Sequence, residues 1–173
     1  MAMADDRPSE ALEPREPTVE DLRDLCRALN SRGAKYIVVG GFAMRAAQYS
    51  RQTMDIDLLV DASRENEAIV FEVAATLPDH AAAELVPGEL LNYNVIRVAD
   101  EIVLDIMRSA GGLTYQEVAG SVEIHEIDGV AIPFASPELL WRMKSITGRE
   151  KDLPDLLFLR QWFSERGRQP PEH

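Results

Sequence analysis

The sequence predicts one α+β domain, α/β-like in the way helices and strands alternate along it. Three observations carry that prediction. Apolar residues recur at helical spacing near both ends of the chain. Short apolar or alternating runs fill the middle, each closed by Gly, Pro or Asp. A length of 173 residues with 46% hydrophobic content suits a single core.

The elements follow in order. Residues 1–17, acidic and proline-bearing, read as a flexible tail without the basic start or apolar run of a signal peptide. Thr18 is a suitable N-cap, and Val19, Leu22, Leu25, Cys26 and Leu29 then line one helix face up to a stop at Gly33. Residues 36–39 form a wholly apolar run ending in Gly40-Gly41, which predicts a buried strand and a tight turn. A helix is expected over 42–49, a strand over 55–60, and a helix from Ser63 to about Leu77. Neighbouring strands are expected at 90–98 and 102–107. The Asp128-Gly129 pair predicts a hairpin joining 121–127 to 130–134. Ser136-Pro137 opens a helix through Thr147, and a last helix runs over 153–166. The domain thus spans 18–166, with a second tail at 167–173.

The net charge is −12, and its distribution matters more than its sum. Residues 25–141 hold 17 acids against 8 bases, whereas 142–168 hold 7 bases against 4 acids. An acidic body disfavours duplex DNA and leaves a small molecule, a protein or a short RNA end as partner. No apolar stretch is long enough to span a membrane. The lone Cys26 excludes an internal disulfide and suits a reducing cytoplasm, as a buried, inert thiol.

Chemistry concentrates around Gly40-Gly41 and the segment from Arg51 to Val60. Paired glycines let backbone N–H groups approach an anion with no Cβ in the way. Asp55 and Asp57, two apart on a strand, point the same way about 6.5–7 Å apart and can converge on metal ions. Aspartate is depleted in strands and like charges on one face repel, so a cation would reward the arrangement. Oxygen ligands favour Mg²⁺ or Mn²⁺. Asp105 is a lone carboxylate within a second apolar run, expensive unless paired or metal-bound. If its strand lies beside that of Asp55 and Asp57, three carboxylates face one point.

Together these residues resemble the DNA polymerase beta-like nucleotidyltransferase superfamily: strand, Gly-Gly, helix, Asp-hydrophobic-Asp, and a third carboxylate on a later strand. Arg51-Gln52-Thr53 before Asp55-Ile56-Asp57 looks like the variant of small stand-alone bacterial members, related to abortive-infection toxins and to antibiotic nucleotidyltransferases. The resemblance covers roughly residues 20–162. It implies a mixed central sheet flanked by helices, with further helices at the C-terminus. It also implies transfer of an NMP group from an NTP, ATP foremost, to a hydroxyl of a small molecule, a tRNA end or a protein. Asp55, Asp57 and Asp105 would be the metal ligands and catalytic residues. Gly40, Gly41, Arg51, Thr53, Lys144 and Lys151 would contact the nucleotide. Many members carry serine where Gly41 stands, so backbone and basic groups here must replace that hydroxyl.

The remaining candidates divide between chemistry and packing. Arg51, Lys144, Arg149 and Lys151 suit phosphate contacts, or pairing with acids such as Asp152 and Asp155. His80, His125 and His173 lack metal-ligand spacing. Trp141 and Trp162 fit the apolar faces of the last two helices. A different class of function is a non-catalytic nucleotide-binding or interaction module, such as a toxin–antitoxin component, that keeps the fold.

Overall fold

Helix α1 (Val19–Ser31) starts at a complete capping box. Asp21 N–H donates to the Thr18 hydroxyl at 3.2 Å, and the Asp21 carboxylate accepts from Thr18 N–H at 2.7 Å. Its face of Leu22, Leu25, Cys26 and Leu29 is buried. This computed structural model describes residues 13–172. Then follow β1 (Tyr36–Val39), α2 (Gly40–Ala46), β2 (Asp55–Val60), α3 (Arg64–Ala74) and α4 (Glu89–Asn92). The middle of the chain holds β3 (Val95–Ala99), β4 (Val103–Met107), the short β5 (Ser109–Ala110) and β6 (Leu113–Thr114), and α5 (Tyr115–Val118). It closes with β7 (Val122–Ile127), β8 (Val130–Ala135), α6 (Pro137–Thr147), a 3₁₀ turn (Glu150–Asp152) and α7 (Leu153–Glu165).

Six strands form one mixed sheet in the order β3-β4-β2-β1-β8-β7. The neighbours β3/β4, β2/β1 and β8/β7 run antiparallel; β4/β2 and β1/β8 run parallel. Two helical groups flank it: α1 packs on α3 and β8, while α2 packs on β1, β2 and α6, with α7 behind α6. The core is continuous across the sheet, and Tyr36–Val39, Leu58, Leu59 and Ile106 are buried in it. The fold is the α+β class that the sequence predicts.

The expected hairpin forms over Asp128 (φ 49°) and Gly129 (φ 81°), the two positive angles a tight two-residue hairpin needs. The expected strand over 90–98 does not form in full. Its first half is α4, because Gly88 takes a left-handed φ of 109° and the Glu67 carboxylate accepts from both Gly88 and Leu90 N–H, at 2.7 and 2.8 Å. Those bonds, from a residue 21 and 23 positions away, satisfy donors that a strand would have paired. The helix expected over 42–49 begins at Gly40 and stops at Ala46, before Gln48 at φ 72°. Both ends of the described residues are bonded to the body of the domain. Arg15 N–H donates to the Glu101 carbonyl at 2.8 Å and Pro17 is buried, so the chain is tied down before residue 18. At the other end Arg168 pairs with Glu138 at 2.7 Å, and Trp141 Nε1 donates to the Pro171 carbonyl at 3.1 Å. Residues 1–12 and 173 lie outside the described residues. Trp141 and Trp162 both meet Phe163 edge-on, at 6.3 and 5.1 Å between ring centroids, which is packing rather than a stacking platform.

Candidate functional site

Asp55 and Asp57 open β2 and share one face of the sheet. Beside them β4 runs parallel, in a register that pairs Asp57 with Asp105. One oxygen from each of the three carboxylates lies within 4.8 Å of the other two. Three acids from two strands thus converge, with a spacing suited to oxygens arranged around hard cations.

Two glycines make room for this cluster. Val39 pairs with Asp57, so the next residue, Gly40, passes directly beside that aspartate. A Cβ on Gly40 would stand 2.0 Å from Asp57 Oδ2, and Gly40 has φ +67°. Space and backbone both demand glycine there. A Cβ on Gly41 would lie 2.4 Å from Thr53 Oγ1 and 2.7 Å from Thr53 Cβ. Thr53 is buried, and its hydroxyl donates to the Asp55 carbonyl at 3.1 Å. Hence serine cannot enter at 41 without displacing Thr53. Thr53 itself stands behind Gly41 and does not line the cavity in front of the carboxylates.

The cluster is electrostatically strained. Burial first, then the charges of Asp55 and Asp105, push the Asp57 carboxyl up to about 7, against the pull of Lys144 and Arg97. Burial and the charge of Asp105 also raise Asp55, with Arg97 opposing. These are groups that a cation would settle, and the all-carboxylate donor set suits Mg²⁺ or Mn²⁺.

One cation already touches the triad. Arg97, on β3 and in register with Asp105, donates from Nε and Nη2 to its two carboxylate oxygens at 3.0 and 2.9 Å. Nη2 also donates to Asp55 Oδ2 at 3.1 Å. Sequence reasoning passed over Arg97, although it carries the signal used for Asp105, a lone charge within an apolar strand. Ile96 and Val98 face the core on either side of it.

A cavity of about 620 Å³ opens in front of the carboxylates, within the range of small-molecule sites. Gly40, Gly41, Arg51, Lys144 and Lys151 line it together with the triad, and Arg149 and Arg97 add two further bases. Most of these bases are held by buried acids. Lys144 Nζ lies 2.9 Å from Asp155 Oδ2 and 3.3 Å from Asp152 Oδ1. Arg51 pairs with Asp155, and Arg149 Nε with Asp152 at 2.9 Å. Burial alone would raise Asp152; the charge of Lys144 and the hydrogen bonds from Arg149 and Lys144 hold it below the usual carboxylate range. Lys151 is exposed, with no ion pair among the described residues. No helix among the described residues is long and apolar enough to cross a membrane.

Comparison with known proteins bears on family and fold. A protein-family model described as "Nucleotidyl transferase of unknown function" matches residues 18–169. No curated protein matches the chain. Among solved structures, the chain is similar to a Thermotoga maritima protein provisionally described as a nucleotidyltransferase. The two share 17% identity and a TM-score of 0.50 over 86% of this chain and 93% of the other, a likeness of fold.

Proposed function

Since the chain belongs to this nucleotidyl transferase family of unknown function, we propose that it moves an NMP group from an NTP, ATP foremost, to an acceptor hydroxyl, with pyrophosphate leaving from the α-phosphorus. The observation that carries the proposal is the convergence of Asp55, Asp57 and Asp105 beside Gly40 in a cavity large enough for a nucleotide. Asp55, Asp57 and Asp105 would hold Mg²⁺ or Mn²⁺, which when bound neutralises phosphate charge and activates an acceptor hydroxyl. Asp105, which lines the cavity, would accept the proton of that hydroxyl. Gly40 and Gly41 keep one wall bare of side chains. Lys151 and Arg149 offer charge to the phosphates. Lys144 and Arg51 are anchored by Asp152 and Asp155, so they set the potential of the cavity from fixed positions.

The acceptor classes compatible with the charge distribution are a small molecule, a short RNA end such as that of a tRNA, and a protein side chain. Duplex DNA is not among them. A lone buried thiol suits action in the cytoplasm. The test is incubation with each labelled NTP, Mg²⁺ or Mn²⁺ and a cell extract, followed by separation of small molecules, RNA and protein. Label in one class that vanishes with Asp57→Asn supports the proposal; no transfer under any NTP sinks it.

A second reading, a non-catalytic nucleotide-binding or interaction module such as a toxin–antitoxin component, has one observation in its favour. Arg97 already supplies a positive charge to Asp55 and Asp105. On that reading no NMP group is transferred to any acceptor, and partner capture is unaffected by Asp57→Asn.

A further inference from the structure

We propose that Arg97 is the exchangeable counter-ion of the carboxylate triad. It holds Asp105 and Asp55 while no nucleotide is bound, yields that place to the divalent cation that arrives with a nucleoside triphosphate, and then donates to the triphosphate. This inference rests on the metal-site reading above.

Both oxygens of Asp105 accept from Arg97, at 3.0 and 2.9 Å, and Asp55 Oδ2 accepts from the same Nη2 at 3.1 Å. A divalent cation drawn to these oxygens meets a positive charge already seated on them. The two repel at a separation of a few ångströms in a partly buried site.

The Arg97 side chain is 61% exposed, while those of Asp55 and Asp105 are 26% and 10% exposed. The acids are held by the strand interior; the base approaches from the water side. Arg97 also sits on β3, the strand at the edge of the sheet. Releasing it therefore breaks hydrogen bonds that water can replace, whereas moving Asp105 outward would break the sheet.

Arg97 lines the same cavity as Arg149 and Lys151, and its planar fork of donors matches phosphate oxygens. The contrast with the other bases is instructive. Arg51, Lys144 and Arg149 are bound to Asp155 and Asp152, acids outside the triad that a metal would leave untouched. Arg97 is different, since its carboxylate partners are the ones the metal takes. Metal binding thus frees a guanidinium inside the cavity at the moment a triphosphate needs one. The consequence is positive coupling: free metal binds weakly, and metal with nucleotide binds well.

The test is Mn²⁺ binding to the full chain by electron paramagnetic resonance, with and without a non-hydrolysable ATP analogue. The proteins compared are wild type, Arg97→Gln, Arg97→Lys and Asp57→Asn. Arg97→Gln is expected to bind free Mn²⁺ about tenfold more tightly, and to bind the analogue in the presence of Mn²⁺ about tenfold more weakly. Arg97→Lys, which keeps the charge but loses the fork, is expected to fall between wild type and Arg97→Gln in both measurements. It carries the test by itself if the glutamine variant does not fold. Free Mn²⁺ affinity that is unchanged or weaker in the Arg97 variants, or analogue affinity that is retained, overturns the proposal. Asp57→Asn separates the two readings. If it binds Mn²⁺ as wild type does, the metal site itself is wrong and Arg97's role falls with it. If it loses Mn²⁺ while the Arg97 variants match wild type, the metal site stands and Arg97 is only a structural partner.

Discussion

Replacing Gly40 with alanine should damage the protein twice, and a second glycine separates the two effects. At φ +67° an alanine pays about 1–2 kcal/mol for left-handed backbone. Its Cβ would also land 2.0 Å from Asp57 Oδ2 and 2.8 Å from Asp57 Cγ, so the carboxylate must swing away. Driving Asp57 off its rotamer adds about 0.5–1.5 kcal/mol, giving a total of about 1.5–3.5 kcal/mol. Gly33 has almost the same backbone angle, +69°, and nothing within 4 Å of the position its Cβ would take. Gly33→Ala therefore measures the backbone cost alone. The reduced freedom of the unfolded chain is common to both variants and cancels in their difference. Urea unfolding of wild type, Gly33→Ala and Gly40→Ala gives the two costs. Thermal unfolding with and without Mn²⁺ shows whether the carboxylates still converge. Ligand linkage stabilises the native state by about 2.7 kcal/mol at 100 times the dissociation constant. Gly33→Ala should keep that metal-induced shift, and Gly40→Ala should lose most of it. If the two variants cost the same and respond equally to Mn²⁺, then Gly40 does not shape the site.

Because the Asp57 carboxyl is raised to about 7 from an ordinary 3.8, the folded metal-free protein holds a proton that the unfolded chain has released. Its contribution thus falls as pH rises through that window, so melting without metal should be higher near pH 5 than near pH 8. Asp57→Asn should flatten this trend; an unchanged pH profile would refute the assignment. Asp21, lowered to about 2 chiefly by its hydrogen bond with Arg15, acts in the opposite sense and only at more acid pH. Lys144→Met should destabilise by about 3 kcal/mol, since it leaves two buried carboxylates short of a partner, as denaturant titration would register. Lys151→Ala should leave stability within about 0.5 kcal/mol but weaken nucleotide binding in calorimetry. Finally, a duplex of about 20 base pairs at ~0.15 M salt should show no submicromolar binding by fluorescence anisotropy; tight, sequence-independent binding would contradict the charge argument.

Much of the local structure was legible because it depends on neighbours in the chain. The capping box at Thr18 and Asp21, the Asp128-Gly129 hairpin and the Ser136-Pro137 helix start all arise from contacts within a few residues. The same-face geometry of Asp55 and Asp57 follows from strand pleating alone. The family resemblance, too, rests on short motifs of this kind. The split of 90–98 into α4 and β3 was not legible, because the Glu67 carboxylate that caps it comes from a different helix. Nor was the reason for glycine at 41, which depends on a threonine 12 positions away lying against it.

What the sequence by itself determined was which residues can bear charge chemistry and which short segments hold them. What only the tertiary structure decided was how those segments line up. The parallel register of β2 and β4 places Asp105 against Asp57, and β3, antiparallel on the far side of β4, brings Arg97 onto the same carboxylates. Strand pairing joins Asp57 to Asp105, 48 positions apart, and so brings Arg97 to Asp55, 42 positions away, with no signal in either segment naming its partner. A slip of one residue would turn Asp105 to the other face, and the core holds the register against that slip by burying Leu104 and Ile106.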